Sequence, residues 1–137
     1  MNSHYMDNEE FFQRILQLDG FLAHLDLSLK SAEAGKASIL VEFNEKIMRP
    51  GGIMHGGAIS SLFDLCGGIA IFTASDIINT VTIELNIVFM RQVNNGPVEI
   101  SSRVERIGTR TAFATMELFD GKGELCSKGS GIWSVFR

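Results

Sequence analysis

Between Ile53 and Ser75 the chain carries one formally charged residue, Asp64. Water solvates a carboxylate far better than an apolar segment does. Asp64 must therefore be paired, protonated, or held in place because chemistry uses it. The run has roughly the 20-residue length of a membrane span. Its central carboxylate, its four glycines (Gly56, Gly57, Gly67, Gly68) and the amphipathic strands after it disfavour insertion. A buried helix over residues 53–75 is the better solution. Because that helix is apolar over most of its circumference it has to be enclosed, and an antiparallel sheet curled around it does this.

The flanking sequence supplies such a sheet. "LAHLDLSLKSAE" and "KASILVEFNE" alternate with period two around "EAGK", which predicts a hairpin. After the central helix, "TVTIELNIVFMR", "PVEISSRVERIG", "RTAFATMELFD" and "ELCSKGSGIWSVF" predict a meander of four strands. Ahead of them all, residues 1–20 hold an amphipathic helix. Asn8 is its candidate cap, Glu9 and Glu10 occupy the first turn, Phe11, Phe12, Ile15 and Leu16 form its stripe, and it ends near Gly20. The 137 residues suit one α+β domain, with a curved antiparallel sheet of about six strands wrapped around one central hydrophobic helix.

At roughly 100° per residue, Ile59, Leu62, Cys66 and Ile69 share one face of that helix, suited to the sheet. Around Asp64 lie Gly57, Ser60, Ser61, Gly67, Gly68 and Ile71, nearly all small. Such a face lets a second helix pack closely, or lets a ligand approach the carboxylate. Both readings stand.

A net charge of −4 argues against a general nucleic-acid binder, and no helix-turn-helix pattern accompanies the core. The start "MNSHYMDNEE" lacks a basic segment followed by an apolar one, which disfavours secretion. Cys66 and Cys126 are too few for a disulfide framework and read as reduced, buried thiols of a cytoplasmic protein. His4 and His24 show no metal-ligand spacing and the cysteines form no CxxC pair, so neither metal nor cofactor is expected.

"GGIMHGGAISSLFD" resembles the HGG-containing segment of hotdog-fold acyl-CoA thioesterases of the PaaI type, within the 4-hydroxybenzoyl-CoA thioesterase superfamily. The sharp part is His55-Gly56-Gly57 followed by Asp64 nine positions after His55. The resemblance implies a hotdog fold, an acyl-CoA substrate, and a homodimer or homotetramer with shared sites. It implies that the Gly56 N–H polarises the thioester carbonyl, that Asp64 is base or nucleophile, and that Thr82 helps place water. Six positions before the histidine, where the family often has asparagine, this chain has Arg49. Arg49 is open to three roles: a donor to the thioester oxygen, a partner for a carboxylate or phosphate, or an exposed turn residue.

The residues carry part of this without the family. Gly56 stands at a helix N-terminus, where unpaired N–H groups and the positive dipole end favour a developing oxyanion. Asp64 is eight residues on, roughly 12 Å along the axis. One chain cannot easily present both groups to one carbonyl, so two subunits should share the site. His55 is either a proton-transfer group or a loop-fixing one. Strand alternation places Thr82 with Glu84 and Asn86, opposite Leu85 and Ile87, so it reaches the site only if that face meets a partner. Gly57 and Ser61 leave room for substrate beside Asp64. Arg106 and Arg110, with Arg103, are either phosphate ligands for coenzyme A or solvated hairpin charges. Ile53, Met54, Phe63, Phe72 and Phe89 are possible walls of an acyl tunnel. Two other functions remain open: an acyl-thioester sensor without catalysis, and an enoyl-thioester hydratase, for which no Asp–His pair is evident.

Overall fold

The computed structural model describes residues 8–137. His4 and the side chains of Asn8, Glu9 and Leu16 lie outside the described residues, so the expected Asn8 cap does too. Helix α1 runs Asn8–Leu18 and puts Phe12 into the core, with Phe11 and Ile15 half-buried beside it. Asp19 Oδ1 then accepts the N–H groups of Phe21 and Leu22 and turns the chain out of the helix.

Strands β1 (Leu27–Glu33) and β2 (Lys36–Val41) form the expected hairpin. Its two turn residues, Ala34 and Gly35, both have positive φ (51° and 81°), as a tight hairpin that keeps the natural strand twist requires. The turn is tied down on two sides. Gly35 N–H donates to Thr73 Oγ1 at 2.9 Å, and its carbonyl accepts from Val104 N–H at 2.8 Å.

Two short strands, β3 (Met48–Arg49) and β4 (Ile53–Met54), follow. They correct the expected start of the central helix. Helix α2 spans Gly56–Ala74, not 53–75, because Met54 N–H is taken by Val93 O and His55 stays extended (φ −69°, ψ 131°) as the cap. Strands β5 (Asn79–Phe89), β6 (Val98–Ile107), β7 (Thr111–Phe119) and β8 (Leu125–Phe136) complete the chain.

The main sheet has six antiparallel strands in the order β1-β2-β6-β7-β8-β5. The four-strand meander is therefore corrected: only β6, β7 and β8 meander, while β5 pairs with β8 at the far edge. Alternation makes a strand without choosing its neighbour. Here residues 90–97 carry the chain from one edge to the middle of the sheet, anchored where Met90 and Arg91 N–H both donate to Cys126 O.

The sheet wraps α2 as the apolar circumference demands. Ile59, Leu62, Cys66 and Ile69 are all buried, at most 4% exposed, among Ile39, Val41, Ile100 and Met116. The Cys66 thiol lies 3.3 Å from Ser102 Oγ, and burial pushes it up to about 12. By length and composition α2 could also cross a membrane, but here it is the core helix of the sheet. One central helix inside a curved six-stranded antiparallel sheet is the hotdog fold.

Candidate active site

Asp64 lies half-buried on the α2 face turned toward β5 and β8. Its Oδ1 accepts two hydrogen bonds, from Thr82 Oγ1 at 2.5 Å and from Trp133 Nε1 at 3.2 Å. Oδ2 has no donor among the described residues. Only one oxygen of the carboxylate is therefore partnered among the described residues.

Thr82 reaches Asp64 within its own chain, which corrects the expectation that it needs a partner subunit. The strand register shifts between Thr82 and Glu84, where Thr82 opposes Trp133 and Glu84 opposes Ile132. The extra residue, Ile83, resets the alternation. Thr82, though exposed, consequently faces α2 on the side of Leu85 and Ile87, instead of pointing away with Glu84.

Trp133 is the site residue that sequence reasoning missed. It is 1% exposed, and its ring is held between two glycines. A Cβ at Gly67 would sit 2.4 Å from its Cη2, and one at Gly131 2.5 Å from the same atom. Gly67 therefore does not leave space for ligand, contrary to its place in the open face; it makes room for the indole. Ile71 is likewise buried. The available signal was chemical: a buried Trp needs an acceptor for its N–H, and an apolar helix with one carboxylate offers one.

Asp64, Thr82 and Trp133 line a cleft of about 380 Å³ between α1, α2 and β5, with an apolar helical side formed by Phe11, Ile15, Leu65, Ile69 and Phe72 and a polar strand side that adds Asn79 and Thr80. A larger groove of about 560 Å³ on the sheet includes Glu105, but that carboxylate is already committed to Arg103 and Thr115.

The remaining candidates are not brought to the carboxylate within one chain. His55 Nδ1 accepts the Gly57 N–H at 2.9 Å, so this histidine caps α2, and Gly57's donor is occupied. The Gly56 N–H has no acceptor among the described residues. The Phe89 ring lies 3.7 Å from where a Gly56 Cβ would be. Ser61 Oγ donates back to Gly57 O at 2.9 Å, as Ser60 does to Gly56 O. Arg49 is exposed and donates from Nη1 to Pro50 O at 2.6 Å, as a turn residue does. Arg106 and Arg110 are exposed near the β6–β7 turn, where Arg137 donates to Gly108 O and Thr109 O and pairs with Asp76. Arg103 pairs with Glu105. Of the suggested tunnel walls, Phe63 and Met54 are core, and only Phe72 lines the cleft.

The site is thus a helix-borne carboxylate in a cleft beside a hotdog sheet. The chain belongs to the thioesterase superfamily, whose sequence profile matches residues 51–127. It is 36% identical over 132 residues to a Thermoplasma acidophilum protein provisionally named an esterase, covering 96% of this chain and all of that one. It resembles the structure of zebrafish thioesterase superfamily member 2 at 24% identity, TM-score 0.83, covering 93% of this chain and 98% of that one. A Haemophilus influenzae thioesterase structure superposes with TM-score 0.87 at 17% identity, covering 97% and 93%.

Proposed function

We propose that this protein is a hydrolase that cleaves acyl-CoA thioesters to the free acid and coenzyme A. The observation that carries the reading is the asymmetric Asp64 carboxylate. Two donors fix Oδ1 while Oδ2 is left unpartnered among the described residues, at the wall of a cleft with an apolar helical side. A carboxylate so oriented accepts a proton from water as that water attacks the thioester carbonyl, and the thiolate leaves. Thr82 and Trp133 position it.

The oxyanion is met by the free Gly56 N–H at the positive end of α2. Eight residues of helix separate Gly56 from Asp64, roughly 12 Å, so the Gly56 that serves a given Asp64 belongs to a second subunit. The β5 edge supports such a partner: Val81, Ile83, Val88 and Phe89 are 53–59% exposed along a strand with one unpaired side, and Phe89 stands beside Gly56. A homodimer is the minimal active unit. Arg106 and Arg110 lie outside the cleft and offer positive charge to the phosphates of the carrier.

The test is thiol release from a panel of acyl-CoA esters by the parent and by Asp64→Asn. Hydrolysis by the parent, abolished in a variant that still folds and associates, supports the reading. Equal turnover by both proteins would remove Asp64 from the chemistry.

A further inference from the structure

Asp64, Gly68 and Phe72 follow one another at every fourth position of α2, so they lie in a row on one side of the helix. All three line the cleft. Along the helix axis the row rises roughly 12 Å from the Asp64 position to the Phe72 position. At its far end the Phe11 ring of α1 stacks on Phe72, with centroids 4.1 Å apart and planes 13° from parallel. Midway, Gly68 contributes no side chain; a Cβ there would meet only Thr80 Oγ1, at 3.7 Å. The cleft is thus a groove with a carboxylate at one end, an aromatic stop at the other, and a glycine keeping its middle open.

We propose that this groove holds the acyl chain of the substrate, and that the Phe11–Phe72 stack sets its length. The assignment rests on the hydrolase reading above. The lining contains no Lys or Arg, so it does not suit the phosphate-bearing carrier, whose charge has to be met elsewhere. The apolar helical side, about 12 Å long, matches an extended aliphatic acyl group of roughly eight to ten carbons, while Asn79, Thr80 and Thr82 form the opposite, polar side. Acetyl leaves the groove empty and forgoes its burial; a much longer chain meets the stacked rings. Phe11 can act as a stop without being the anchor of α1, because the adjacent Phe12, 1% exposed, does the anchoring. Phe11 and Gly68 are then specificity-determining residues.

The experiment compares kcat/KM for acetyl-, octanoyl- and tetradecanoyl-CoA in the parent, Gly68→Leu and Phe11→Ala. In the parent, octanoyl-CoA should exceed both others by about tenfold or more, the discrimination an apolar pocket provides. Gly68→Leu should lower the octanoyl-to-acetyl ratio by about tenfold, and Phe11→Ala should raise the tetradecanoyl-to-octanoyl ratio by about as much. Calorimetric titration of Asp64→Asn with octanoyl-CoA and with free coenzyme A, with and without Gly68→Leu, separates binding from chemistry. Tighter binding of the octanoyl ester, lost with Gly68→Leu, supports the groove even if no ester is hydrolysed, in which case the hydrolase reading alone fails. Hydrolysis whose chain-length ratios are the same in all three proteins, with octanoyl binding indifferent to Gly68→Leu, overturns the groove and leaves the hydrolase reading intact.

Discussion

The indole N–H of Trp133 donates to Asp64 Oδ1 at 3.2 Å and so joins strand β8 to the one charged position of helix α2. The bond has two consequences. It compensates part of the desolvation of a carboxylate in an apolar helix, and it turns the other oxygen toward the cleft.

Asp64→Asn should lower kcat by about 10²–10⁴-fold, the usual cost of losing a general base. The amide conserves the shape of the side chain, so thermal stability and sedimentation should stay near those of the parent. Measuring kcat, melting and oligomeric state on one sample checks this. Near-normal kcat with weakened folding would identify a structural aspartate instead.

Trp133→Phe deletes the donor and also the distal ring atoms that lie between Gly67 and Gly131. Stability should fall by about 2–4 kcal/mol, from the lost hydrogen bond to a carboxylate and the cavity left behind. The kcat loss should be smaller than that of Asp64→Asn, since Thr82 still holds Oδ1. Thr82→Val should behave similarly, and the double variant should lose more than either. Denaturant melts and kcat on the three proteins provide the comparison.

Gly67→Ala sets two effects against each other. Alanine gains about 1 kcal/mol of helix propensity over glycine. Its methyl, however, would lie 2.4 Å from the Trp133 ring, and overpacking costs about 1–3 kcal/mol. The ring must move and its N–H must leave Asp64, so the net effect should be a lower melting temperature together with reduced kcat. A more stable, fully active variant would contradict this packing.

Charging the β5 edge tests the shared site. Val81→Lys with Ile83→Lys, both at exposed positions, should yield folded monomers with little turnover. Sedimentation velocity and circular dichroism on the same protein decide it. An active monomer would place Gly56 and Asp64 of one chain in a common site after all.

Cys66 predicts a specific pH dependence. Burial raises its thiol from the ordinary 9.0 to about 12, so above pH 9 the unfolded chain gives up a proton that the folded chain retains. This contribution to stability is therefore full below pH 9 and declines from there toward pH 12. Cys66→Ala should remove that part of the alkaline decline, as denaturant melts between pH 8 and 11 can measure.

The sequence by itself determined the central helix, the sheet around it and the unusual status of Asp64. Hydrophobic periodicity is a local property, and a single carboxylate between Ile53 and Ser75 is visible without coordinates. Gly56 at a helix N-terminus was legible as well, since the His55 capping bond spans only two residues, although the helix start expected at residue 53 was not. Tertiary structure alone decided which strand lies beside which, because β5 pairs with β8 through contacts about fifty residues apart that alternation does not encode. It also decided the surroundings of the carboxylate. A backbone register shift after Thr82 turned that hydroxyl toward α2, and two glycines far apart in the chain, Gly67 and Gly131, admitted the Trp133 ring to within a hydrogen bond of Asp64. Such features arise from how separate segments share hydrogen bonds and space; the residue types of Trp133 and Asp64 hint at a donor and an acceptor, but not at the register and packing that join them.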